Sequence, residues 1–217
     1  MTAHIGYSAW ITGVVQFFAI HRIAESAWTQ PYSWAQNNIS DLGNAHCGLQ
    51  PLPEPRYVCS PEHGLMNASF VLLGLLLIVG AALTGPLWRK GATATVARIL
   101  LAGVGLGAVL AGTAPADVHG NQHGLGALLV MGTGNIGLVL AGAALTDHIP
   151  APLRWITSFA GVTAVTAFTL FLTRQYLGLG MGGMERVAAL TVLLWALGAG
   201  ALGLLQATWQ RRAVTAQ

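Results

Sequence analysis

Six stretches of this chain are each long and apolar enough to cross a lipid bilayer, and that limits the fold more than any motif. A spanning helix needs about 20 mostly apolar residues to cover about 30 Å of hydrocarbon. The stretches run over about 5–24, 63–83, 96–113, 123–145, 153–172 and 187–209. The expected architecture is therefore all-α: a polytopic membrane bundle of six transmembrane helices. It forms one domain over 1–217, with a long extracytoplasmic loop at about 26–62. Composition agrees, because only 8% of the 217 residues are charged, against about 25% in soluble domains. Such a chain cannot clothe an aqueous surface, which excludes a soluble enzyme and a disordered chain. Its net charge of +3 is too thin for a phosphate-binding patch, which excludes a nucleic-acid partner. The first stretch has no basic region before it and no convincing cleavage site after it, so it is expected to stay as a helix.

Lys and Arg in the connections set the expected orientation. Arg89, Lys90, Arg98, Arg154, Arg211 and Arg212 fall on one side, and Arg22, Arg56, Arg174 and Arg186 on the other. The richer side is read as the inside of a cell membrane, with both termini cytoplasmic. The two cysteines, Cys47 and Cys59, both lie in the long outer loop. A disulfide is the expected state in that compartment, and two thiols sharing a loop is the alternative. The tryptophans fall mostly near helix ends, as an aromatic belt requires.

Chemistry-bearing residues crowd the outer side. His21, His46, His63, His119 and His123 fall there, whereas His4 and His148 fall inside. Gln16 and Asn135 are isolated polar residues in the membrane interior. The first loop carries the run Asn37-Asn38-Ile39-Ser40-Asp41-Leu42-Gly43. Such residues bond nearby backbone, so a cap or Asx-turn explains the run. Held over the bundle, Asp41 is also a candidate ligand or general base. Ser60-Pro61-Glu62 reads as a helix start, after which His63 and Asn67, four apart, share a face. His119 and His123 have the spacing that lets two imidazoles hold one metal on a helix. Arg186 suits an anionic headgroup, which guanidinium grips with two prongs. The glycine-rich run at 178–183 is a lid or a plain loop.

The Asn38-to-Gly43 run after a first helix, His63 and Asn67 opening the second, Pro115, Asp117 and His123 opening the fourth, and Glu185-Arg186 opening the sixth resemble the domain-of-unknown-function 998 family of prokaryotic integral membrane proteins. The resemblance covers nearly the whole chain and implies a six-helix bundle with no established activity. A weaker similarity in ligand types is to the membrane hydrolases that include alkaline ceramidases. Their seven helices and late histidine pair differ from the order here, so neither zinc nor ceramide carries across.

Two functions compete. One is a metal-dependent hydrolase or transferase acting on a lipid. Zinc on His63, His119 and His123 would lower the pKa of a bound water towards about 7. Asp41 or Asp117 would be fourth ligand or base, Arg186 would hold the headgroup, and Asn38, Ser40, Asn67 and Glu185 would line the pocket. The other is a non-catalytic module that binds a lipid or transports a small molecule through the same outer cluster. Transport wants polar residues along a path to the far side, and Gln16 and Asn135 are few for that.

Overall fold

The computed structural model describes residues 2–51 and 54–215. Positions 1 and 217, the expected ends of the domain, lie outside the described residues, as do 52–53 in the long loop and the side chains of Trp209, Arg211 and Arg212. The chain is 74% helical, and 6 helices among the described residues have the length and composition to cross a membrane. They are α1 (Thr2–Ser26), α2 (His63–Leu83), α3 (Ala92–Thr113), α4 (Gly120–Ala144), α5 (Ala151–Leu172) and α6 (Gly180–Thr215). Each expected stretch is one helix. The largest shift is in α6, which begins at Gly180 and so takes in residues 180–183 of the glycine-rich run.

Each helix packs on the next, and α6 returns to pack on α1, so the bundle is a closed ring. Small residues set the closest crossings. A Cβ on Gly74 would lie 2.4 Å from the Gly105 carbonyl oxygen, and one on Gly105 would lie 2.5 Å from that of Gly74, so α2 and α3 meet backbone to backbone. Gly107 and Gly126 bring α3 and α4 together in the same way. The outward faces carry Ile99, Leu106, Trp155, Ile156 and Phe159, all well exposed. Such a surface fits hydrocarbon, not water. Two tryptophans depart from the expected belt. Trp10 and Trp88 are buried and pack against Trp195 with ring centroids 5.5 and 6.1 Å away.

Inside α4, Leu129–Thr133 forms a π-turn. The Thr133 hydroxyl bonds the Leu129 carbonyl at 2.6 Å and the Leu100 carbonyl of α3 at 3.1 Å. At the end of the bundle holding the α2–α3 and α4–α5 turns, Asp147 bridges Arg89 and Arg154. The Arg89 guanidinium holds the Asp147 carboxyl below its ordinary range.

The described residues of the long loop at the other end carry regular structure. It contains a 3₁₀ segment, Ile39–Gly43, and an antiparallel hairpin of β1 (Gly48–Gln50) and β2 (Arg56–Val58). Cys47 and Cys59 form a disulfide across the base of that hairpin.

Candidate functional site

The 3₁₀ segment plugs the loop end of the bundle, with Ile39, Asp41, Leu42 and Gly43 all buried. Buried backbone groups that a short turn cannot satisfy internally need partners from elsewhere. Three parts of the chain supply them. The Ile39 N–H donates to Glu185 Oε2 of α6 at 2.6 Å. The Ser60 hydroxyl donates to the Leu42 carbonyl at 2.7 Å, and Asn67 Nδ2 of α2 donates to the Gly43 carbonyl at 2.8 Å. Position 43 has no room for a side chain, since a Cβ would lie 2.3 Å from Asn67 Oδ1. The hairpin contributes Arg56, whose Nε and Nη2 each reach one Asp41 oxygen at 2.7 Å. Asp41 also accepts the Asn38 N–H at 3.0 Å. This two-pronged pair is buried, with 11% of the Arg56 side chain and 2% of the Asp41 side chain exposed.

Arg186 fixes the stretch that leads into the plug. Its Nη1 donates to the carbonyls of Trp34, Asn37 and Gly182 at 3.0, 2.8 and 2.8 Å. Nη2 donates to the Tyr32 hydroxyl, and the guanidinium lies 4.8 Å from the Trp34 ring centroid. Tyr32 in turn donates to the Asn38 carbonyl at 2.8 Å. Burial pushes the Tyr32 phenol above its ordinary value, so it stays a donor. The glycines are a seat for this stretch. Gly182 N–H donates to the Ala35 carbonyl at 2.8 Å, and a Cβ there would lie 2.1 Å from the Asn37 oxygen.

Below the plug lies a cavity with about 60 Å³ of water-accessible space. Its walls are apolar: Phe17 of α1, Phe70 and Leu73 of α2, Val104 of α3, Leu190 and Leu193 of α6, and Val130 and Met131 from the π-turn of α4. Three lining residues can hydrogen-bond through their side chains: Ser40 of the plug, His123 of α4 and Glu185 of α6. All three come from the plugged end. His123 Nδ1 is 2.9 Å from the Ala114 carbonyl. A carbonyl only accepts, so Nδ1 carries the proton, which makes Nε2 the acceptor nitrogen of this tautomer. Glu185 has its one hydrogen bond from Ile39, and Ser40 makes no side-chain hydrogen bond among the described residues.

The family model described as "Protein of unknown function (DUF998)" matches residues 11–202, a span that takes in the plug and every wall of the cavity. The chain belongs to the DUF998 family. No curated protein and no solved structure matches it.

The candidate residues of this DUF998 chain fall into separate roles. Ser40 and Glu185 line the cavity, whereas Asn38 and Asn67 hold the plug. Asp41 is engaged by Arg56 and Arg186 by carbonyls. Glu185 and Arg186 do not open the last helix. They sit in its second turn, because the small residues from Gly180 onward are helical and let loop carbonyls close on them. Asp117 clamps the hairpin base: it accepts the N–H groups of Ala45 and His46 at 3.0 and 2.9 Å, and lies 3.0 Å from His46 Nδ1. Burial opposes its charge, but those N–H groups outweigh it and hold the carboxyl below its ordinary range.

The three expected zinc ligands are not brought together. Among the described residues no group of three His, Cys, Asp or Glu side chains could hold a metal ion. His63 Nδ1 turns to the Ser60 carbonyl at 3.0 Å. His119 precedes α4 as its N-cap and is exposed, so it does not share a helical face with His123. Ser60 likewise differs from its expected capping role, since Glu62 is the N-cap of α2 and the Ser60 hydroxyl bonds the plug.

Arg56 and His46 contact the candidate carboxylates Asp41 and Asp117, though the sequence alone gives neither a place in the site. One signal for Arg56 is its place between two cysteines: a disulfide-closed hairpin folds that segment back towards the Asn-Ile-Ser-Asp run.

Proposed function

We propose that this protein is a non-catalytic membrane module that takes the apolar part of a lipid or other small amphipathic molecule into the cavity beneath the plug. One observation carries the reading: an otherwise apolar chamber has its hydrogen-bonding side chains only at the plugged end. That is the polarity of an amphiphile, apolar body inward and polar tip towards the loop end. At about 10–15 Å³ per water-sized group, the space takes roughly four to six of them, so the ligand inserts a short chain or the end of a longer one. Gln16 and Asn135 do not line the cavity. Gln16 bonds Ser69 of α2 at 3.0 Å and Asn135 bonds the Ala188 carbonyl at 2.9 Å, so both serve helix contacts.

The basic connections support an orientation with both termini in the cytoplasm and the plug on the outer face of a cell membrane. The disulfide agrees with an oxidising outer compartment. Co-purified amphiphile measured by native mass spectrometry tests the function. Wild-type protein retains it, and Ala108→Phe, which fills the cavity from α3, loses it while still unfolding cooperatively. Equal retention by the two proteins would refute cavity binding.

A further inference from the structure

We infer that the cavity selects amphiphiles whose polar tip donates hydrogen bonds, an alcohol or a primary amine, and rejects carboxylate tips. The inference rests on the binding function just proposed and names its ligand class. A chain already dissolved in hydrocarbon gains little from moving into another apolar space, because lipid is as apolar as leucine. Selection therefore falls to the three polar groups on the wall. Glu185 is buried, with one carboxyl oxygen on the Ile39 N–H and no second protein donor among the described residues. His123 presents the acceptor Nε2, since Nδ1 is bound to the Ala114 carbonyl. Ser40 donates and accepts through its hydroxyl. Neither cation near the plug lines the cavity: Arg186 has both Nη atoms on carbonyls and the Tyr32 hydroxyl, with its Nε unpartnered among the described residues, and Arg56 pairs with Asp41. With Glu185 ionised, a carboxylate tip would face a negative carboxylate and an imidazole lone pair, with a single hydroxyl to receive it. A hydroxyl or ammonium tip finds acceptors on two sides, and leaving those acceptors unmatched is what an ill-suited tip would cost.

Titration of 1-hexanol, hexylamine and hexanoate into the detergent-solubilised full chain at pH 7.5, by calorimetry, tests this. Hexanol and hexylamine bind at least tenfold more tightly than hexanoate. In Glu185→Gln, whose amide offers a donor, the preference falls to about twofold, and Ser40→Ala serves as a second variant that leaves the Ile39 contact intact and weakens hexanol at least threefold. Ala108→Phe abolishes all three signals. Hexanoate binding as tightly as hexanol in the wild type overturns the inference and leaves cavity binding standing. Failure of all three to bind, or binding that Ala108→Phe does not change, overturns cavity binding and the inference with it.

Discussion

Asp41 sits over the bundle mouth, where a general base would be useful, yet both its oxygens are taken by one guanidinium. Removing a single member of a buried ion pair leaves an uncompensated charge and costs about 3–5 kcal/mol. Arg56→Met should therefore destabilise the protein by that amount in denaturant unfolding, and the double variant Arg56→Met with Asp41→Asn should recover most of it. A loss below about 1 kcal/mol for the single variant would mean that the pair contributes nothing to the plug. Asp117 gives a pH signature. Its carboxyl is held below the ordinary value, near 3.9 in an unfolded chain. A group depressed in the folded state stabilises fully above about pH 4 and loses that contribution as pH falls through its native value. Melting temperatures should drop between pH 6 and pH 3, and Asp117→Asn should shrink that drop. An unchanged drop would show that the clamp on Ala45 and His46 does not depend on charge.

At the scale of elements, the contact between α2 and α3 leaves no room for added bulk. Gly105→Val would push a branched side chain into the Gly74 carbonyl and the start of Ile78, forcing the helices apart at roughly 1–3 kcal/mol. A cysteine pair placed across the same helices would cross-link less efficiently in that variant. The helices themselves were legible in the sequence, because spanning length and apolarity are local properties that no distant contact overrides. The Asn38-to-Gly43 run was equally visible as unusual. Asn67, Glu185 and Arg186 were visible as candidates, but not as the groups that bond this run, and Arg56 arrives by way of a hairpin that a short polar stretch does not announce. The glycines at 178–183 read as loop because glycine favours turns; Gly178 does lie in a turn, whereas Gly180, Gly182 and Gly183 are helical, with Gly180 and Gly182 packed closely on Ala35 and Asn37. The His119 and His123 spacing suggested one face; the helix start at Gly120 divides them.

For the whole molecule, the ring leaves α5 out of the cavity wall, which is built from the other five helices and the plug. The outward side of α5 carries Trp155, Ile156 and Phe159, so this helix is turned chiefly towards lipid. The proposed orientation is open to a direct test in intact cells. A thiol reagent that cannot cross membranes should label Gln36→Cys at the exposed plug approach, in a background lacking Cys47 and Cys59, and should leave Lys90→Cys unlabelled until the cells are lysed. The reverse pattern would invert the protein in the bilayer.

The plug belongs to the first loop, and Arg56, Ser60 and Asn67 follow it closely, but two of the groups that seat it are made last. Ile39 waits for Glu185, 146 positions on, and the carbonyls of Trp34 and Asn37 wait for Arg186, 152 and 149 positions on. A ribosome product that stops after α5 therefore carries a half-dressed loop with bare amides and carbonyls, and only the finished polypeptide can hide them. Completion of synthesis is thereby what shuts the door at the opposite end of the chain.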